Sequence, residues 1–425
     1  MMETRFTTQE LTIPEAPGAP GWDDFVAMVA VRNSVDAEAY GSTELDSTPE
    51  ELLSIWRNQR YEPKRTLVTR ADGRIIARAT VERSCLPETA PNPDPRHIPT
   101  DVSWLSVQVL PAWRRRGIGS ALTDRIEALA ADDGCRNVIV YAASRPAVGP
   151  AVASPTGFGA VPEANAEVQF LLRRGYRLEQ VERASRLALP IGRELLANFA
   201  LQAAEFAGIE YIVHCWRDRT PAAWREDIAA LYTRMSTDAP TAGLKEPAEV
   251  WTAERLVDEE EAFAGSPRVL LTAAVRYIPS GRLVGCSQLS VPAEVTRPVS
   301  QEDTLVLREH RGHRLGMLLK SANLHYLQRE SPGHPSIITF NAEENRHMLA
   351  VNEALGFVPI GYEAAWHRSL PDPAPDRTTS RATSTNRSGM DPAGTDPSTT
   401  GSSGTFPSGT APSGTAQAPE NSDRD

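Results

Sequence analysis

Short apolar runs separated by turn residues recur along the chain, and they come in the same order twice. In the first half, Thr48-Pro49-Glu50-Glu51 reads as a helix start, with Thr48 as N-cap, proline in the first turn and Glu51 closing a capping box. The runs 65–70 and 74–81 flank Asp72-Gly73, a strong two-residue hairpin signal. A proline-rich loop follows from Pro87 to Pro99. Residues 102–110 alternate as a strand, 114–119 form a basic glycine-containing turn, and 121–131 form a helix that Gly134 ends. A short buried strand at 137–141, a helix at 164–174 and a returning strand at 176–189 complete the half.

The second half repeats this order. Thr220-Pro221 opens a helix, and runs 269–277 and 282–290 form a second hairpin turning at Ser280-Gly281. A strand at 304–307, a basic turn at 310–316, a helix at 317–329, a strand at 336–340, a helix at 345–355 and a last strand near 359–367 follow. Arg114-x-x-Gly117-x-Gly119 aligns with Arg311-x-x-Arg314-x-Gly316 at an offset of 197, and Gly175-Tyr176 aligns with Gly356-Phe357 at 181. Such offsets fit two copies of one fold separated by loop variation. The apolar, helical stretch 195–210 joins them and is expected to pack. The boundaries read as Met1–Pro190 and Ile191–Leu370, with 371–425 a Ser/Thr/Gly/Pro-rich tail expected to be disordered.

Composition narrows the class. No run of about 20 apolar residues suggests a membrane span, and the N-terminus lacks a secretory core, so a cytoplasmic protein is expected. The four cysteines, Cys85, Cys135, Cys215 and Cys286, show no metal or disulfide spacing. No metal is therefore expected. A net charge of -11 with only short basic clusters argues against a nucleic-acid partner and for small charged ligands.

The chemistry concentrates at residues 107–120. There an apolar strand stops at Pro111, turns through Arg114, Arg115, Arg116 and Gly117, and opens a helix. Amides at a helix N-terminus form an anion site, glycines allow close main-chain approach, and the arginines add charge. This suits a pyrophosphate. The segment resembles the GNAT superfamily of N-acetyltransferases, whose pyrophosphate motif Arg114, Gly117 and Gly119 match. The resemblance implies an α/β fold, here two tandem GNAT folds, each with a mixed, mostly antiparallel sheet flanked by helices. It also implies acetyl-CoA as co-substrate, with Val109 and Leu110 meeting the pantetheine arm and Arg115, Arg116, Gly117, Ile118, Gly119 and Ser120 cradling the pyrophosphate. In the second copy Leu305, Leu307, Arg311, Gly312, His313, Leu315 and Gly316 correspond, with Arg314 where the family usually has glycine. Asn345 matches the family's helix-start asparagine and also reads as a plain N-cap. The layout is distantly similar to that of mycothiol synthase.

The family's usual acid, a tyrosine four residues before the glycine of the Gly-aromatic pair, is replaced by Leu171 and Asn352. Thioester aminolysis needs chiefly positioning, an oxyanion site and a base. Candidate bases are Asp303 and Glu302 in the second copy and Glu82 and Asp101 in the first. Each also reads as a solvated strand-end charge. The function expected is acetyl transfer to a primary amine, most simply of a small molecule. The alternatives are a protein lysine or N-terminal acetyltransferase and a non-catalytic CoA-binding protein. The sequence leaves the oligomeric state open.

Overall fold

The computed structural model describes residues 6–83, 101–238 and 240–371. The proline-rich loop read from the sequence lies wholly outside them, as does the tail apart from Pro371. In chain order the first repeat comprises β1 (Phe6–Glu10), α1 (Trp22–Tyr40), α2 (Pro49–Arg57), β2 (Lys64–Ala71), β3 (Arg74–Glu82) and β4 (Val102–Val109). It continues with α3 (Ile118–Asp132), β5 (Asn137–Ser144), the small pair β6 (Ala151–Ala153) and β7 (Ala160–Pro162), α4 (Ala166–Arg173) and β8 (Arg177–Ala188). The second repeat opens with α5 (Arg193–Ala207), β9 (Tyr211–Arg217), α6 (Arg225–Asp238), α7 (Ala253–Phe263), β10 (Val269–Tyr277) and β11 (Leu283–Val291). It closes with β12 (Val299–Val306), α8 (Leu315–Glu330), β13 (Ser336–Ala342), α9 (Arg346–Leu355) and β14 (Val358–Ser369).

Local signals explain the starts and turns. Glu51 N–H donates to Thr48 Oγ1 at 3.2 Å and Thr48 N–H to Glu51 Oε2 at 3.0 Å, so the capping box forms. Asp72 and Gly73 both have positive φ, 48° and 79°, the geometry that matches a tight hairpin to strand twist. In the second repeat β12 begins five residues before the strand expected at Thr304. Its pairing with β11 slips between Ser287 and Leu289, so Glu302 and Asp303 sit in a bulge that breaks the alternation.

The two repeats share one 12-stranded sheet in the order β1-β2-β3-β4-β5-β14-β8-β13-β12-β11-β10-β9. Each repeat gives its last strand to the other. Strand β14 inserts between β5 and β8, antiparallel to both, while β8 pairs with β13. The cores follow the strands. Ala364, Trp366 and Leu370 are buried in the first repeat's core beside Ile126 and Val138. Leu187 is buried in the second repeat's core beside Ile337 and Phe357. The described residues accordingly fall in one compact unit.

Candidate active site

Strands β4 and β5 run parallel and pair only from Val102↔Asn137 to Leu105↔Val140. Beyond that point they diverge and leave an open edge on each. Strand β4 ends at Val109, a single 3-10 turn spans Pro111–Trp113, and α3 starts at Ile118. Between them Arg115 and Gly117 take left-handed backbone, φ 63° and 82°, which re-aims the chain so that the first turn of α3 faces the split. Its N–H groups have no intrahelical acceptors and carry the positive end of the helix dipole.

The split is a cleft of about 630 Å³ lined by Arg115, Gly117, Gly119, Ser120, Asn165 and Phe170, among others. A second cavity of about 530 Å³ adjoins it and shares Val35, Ala39, Val107, Gln108, Ala143 and Phe170. The arginines divide their work. Arg114 is held inside, donating to Val109 O at 2.9 Å and to both Glu38 carboxylate oxygens at 3.2 and 2.5 Å. Arg116 lies over the Trp113 ring, 4.8 Å from its centre. Arg115 is exposed and lines the cleft. The first-turn amides of α3 and Arg115 therefore face the cleft, while Arg114 ties the turn to α1.

The second turn keeps the backbone of the first. Gly312 and Arg314 have φ of 88° and 54°, and α8 starts at Leu315. Arg311 donates to Val306 O at 3.1 Å and to Asp238 at 3.1 Å, the counterpart of Arg114 with Glu38. Arg308 also pairs with Asp238. That carboxylate therefore holds two arginines. Arg314 stacks on Phe206 of α5. His310 bonds Tyr211 Oη through Nδ1 at 3.0 Å, and His313 packs on the same ring. Leu305 is buried, and Leu307 packs beside it.

The four candidate bases separate. Glu82 lines the second cavity and pairs with Lys64 at 3.3 Å. Asp101 accepts from Asn137 Nδ2 at 2.8 Å at the opposite end of β4, about 26 Å along the strand from the turn at 3.3 Å per residue; the fold does not bring it to the cleft. Glu302 lines a different cavity, of about 470 Å³, with Tyr232 and Gln288. Both Glu302 and Asp303 are solvent-accessible. Protein crowding around them raises their carboxyls above the ordinary range, helped at Glu302 by Asp303 and at Asp303 by Glu249. Asn345 caps α9, accepting from Met348 N–H at 3.4 Å. Asn352 donates to Asn341 Oδ1 at 2.7 Å, and Leu171 is buried.

Three site residues escaped the sequence reading. Asn165 stands at the start of α4, 180 positions before Asn345, and bridges Ser144 Oγ and Arg145 O at 2.9 Å each. The repeat offset carried that signal. Glu38 and Glu363 carried none, because α1 and the partners of β14 have no local signature. Among the described residues no group of three or more His, Cys, Asp or Glu is placed to hold a metal ion, and no helix is long and apolar enough to cross a membrane.

Residues 30–153 match the model of the acetyltransferase (GNAT) family, and the chain thus carries a GNAT acetyltransferase domain. The whole fold is similar to that of a tandem GNAT protein from the clavulanic acid biosynthesis pathway, determined without acetyl-CoA. The TM-score is 0.61 at 21% identity, over 86% of this chain and 98% of that one. It is also similar to a GCN5-related N-acetyltransferase from Sphaerobacter thermophilus, with TM-score 0.50 and 15% identity over 87% of this chain and 97% of that one. No curated protein matches the chain. The tandem GNAT fold is thereby established.

Proposed function

We propose that the protein transfers an acetyl group from acetyl-CoA to a primary amine, and that the working cleft is that of the first repeat. The observation carrying this reading is the continuity of two cavities there. One is lined by the Arg115–Ser120 turn and the other by polar side chains around the split. The turn fits a pyrophosphate because its donors are main-chain amides at a helix start and its glycines leave the approach open; a Cβ at Gly117 would meet nothing within 4 Å. Acetyl-CoA would supply a thioester. The chain's part is to hold the pyrophosphate on α3, receive the thioester arm along the unpaired edge of β4, and present the amine from the adjoining cavity.

Calorimetry of acetyl-CoA binding tests this with two substitutions, Ser120→Glu and Gly316→Glu. Each adds a carboxylate to the first turn of a helix, which the helix dipole tolerates but a bound pyrophosphate does not. Ser120 is exposed and a Cβ at Gly316 meets nothing within 4 Å, so neither disturbs packing. Binding is expected to fall at least about tenfold, about 1.4 kcal/mol, in Ser120→Glu and to persist in Gly316→Glu. The reverse pattern would move the working site to the second repeat. Absence of binding to the unaltered protein would end the acetyltransferase reading.

A further inference from the structure

Six charged side chains line the second cavity of the first repeat: Arg32, Asp36, Arg78, Glu82, Glu167 and Glu363. Four of them are already satisfied. Arg32 and Asp36 pair with one another at 3.4 Å, Asp36 also accepts from Gln108 Nε2 at 2.8 Å, and Arg32 donates to Ser47 Oγ at 3.2 Å. Glu82 is paired with Lys64, and Glu167 accepts from Ser144 Oγ at 2.8 Å.

The other two are not. Among the described residues the Glu363 carboxylate makes no hydrogen bond or ion pair. Arg78 is only 4% exposed and bonds through a single nitrogen, Nη2 to Thr80 Oγ1 at 2.8 Å, leaving Nε and Nη1 buried without a partner. An unpaired buried donor is unfavourable, and more so when it is charged. The pocket therefore holds one uncommitted carboxyl and one under-committed cation. They stand on β14 and β3, three strand spacings apart across β4 and β5, at least about 14 Å between main chains. Both line the same cavity, so a molecule with charges at both ends could meet one with each end.

We propose that the acceptor is a zwitterion, an amine that also carries a carboxylate, whose ammonium group meets Glu363 and whose carboxylate meets Arg78. This rests on the acetyl-transfer reading. Glu363 is then the base. It takes one proton from the ammonium group, and the freed nitrogen bonds to the acetyl carbonyl carbon as the carbon–sulfur bond breaks. The second nitrogen proton passes to the departing thiolate, and Glu363 returns its proton to water. The groups facing Glu363 agree with this role. Ala143 of β5 and Glu182 of β8 are its cross-strand neighbours, with Asp36, Tyr40 and Arg32 on α1. Burial, then the charges of Glu182 and Asp36, push its carboxyl up to about 8, against the pull of Arg32. A base poised near neutrality suits an amine donor. The consequence for architecture is that the second repeat supplies the base for the first repeat's cleft.

The test uses the full chain with acetyl-CoA and reads thiol release for short α- and ω-amino acids, each against the amine of equal length lacking the carboxylate. A preference of about tenfold or more in kcat/KM for the amino acids is expected, the scale of one charge-assisted contact. Arg78→Gln should remove it. Should that buried change prevent folding, Arg78→Lys keeps the charge, loses the fixed donors and should shrink the preference several-fold. Glu363→Gln should lower kcat about 100-fold for both members of each pair, abolish the rise of rate with pH, and leave acetyl-CoA affinity unchanged by calorimetry. Equal turnover of amines without carboxylate, a preference that survives in folded Arg78→Lys and Arg78→Gln, or turnover only of lysine peptides would overturn the proposal while acetyl transfer stands. Failure of acetyl-CoA itself to bind would remove both.

Discussion

Gly117 and Arg314 occupy the same backbone position in two copies of one turn, both left-handed. The sequence shows a glycine lost, yet the conformation is kept, because a single left-handed residue costs only about 1–3 kcal/mol and Phe206 receives the arginine's guanidinium. A residue change that looks disabling in a motif can thus leave the main chain intact. Glu363 is the opposite case. In the sequence it is an ordinary strand residue, and its meaning appears only when β8 sets Glu182 directly across from it. Burial, then the charges of Glu182 and Asp36, raise Glu363 to about 8, and burial, then the charges of Glu246 and Glu344, raise Glu182 to about 7, so both bind protons more tightly in the fold than in the unfolded chain. For raised carboxyls the sign is fixed. The folded state holds more protons between the ordinary carboxyl range and about pH 8, so stability is fully present in acid and falls as pH rises through that window. Glu363→Gln should therefore flatten the decline and raise stability at pH 8, each unit of raised pKa being worth about 1.4 kcal/mol. Urea midpoints at pH 6 and pH 8 would show it. An unchanged slope would mean that the pair is not strained.

At the scale of elements, the hairpins and the strands that frame the two basic turns were legible, while α1, α7 and the strands β1, β6, β7 and β9 were not. Hairpin glycines, capping residues and alternating runs act locally, so the sequence displays them. Helix α1 has no clean apolar stripe. Phe25, Met28 and Val29 face a core, but Arg32, Asp36 and Tyr40 on its later turns face the polar cavity, and the mixed demand erases the period. The same helix carries Glu38, the anchor for Arg114, as α6 carries Asp238 for Arg311. These two ties invite a quantitative contrast. The Asp238 side chain is 3% exposed and holds two arginines, whereas Glu38 is 35% exposed and holds one. Asp238→Ala should cost about 1–3 kcal/mol, the range for a buried charged hydrogen-bond group. Glu38→Ala should cost no more than about 1 kcal/mol in a screened pair. Denaturant midpoints of the two variants would rank them, and a larger loss for Glu38 would show that the first turn bears more of the fold's stability than its exposure implies.

For the whole molecule the repeat was visible in the offset of matching motifs, but the exchange of strands was not. Nothing local in β14 says that it pairs with β5, because Ser369 meets Asn137 across more than half the chain. Side chains reinforce the exchange. Arg183 on β8 bonds Glu343 twice, at 2.8 and 2.9 Å, and Glu353 at 2.8 Å, while Glu51 of α2 accepts from Arg268 and Arg297 of the second repeat. The first repeat made alone as residues 1–190 would lack the strand between β5 and β8. It would also lack Trp366, which is 0% exposed in its core, and would present a long unpaired edge, which promotes association. Removing one such aromatic costs about 3–5 kcal/mol, a large share of the about 5–15 kcal/mol that stabilises a domain. Residues 1–190 expressed alone should be unfolded or self-associated by light scattering and circular dichroism. Co-expression with residues 191–371 as a separate chain should restore a one-to-one complex that binds acetyl-CoA. A soluble, monomeric, ligand-binding first repeat would show that the shared sheet joins two independently stable domains rather than creating one.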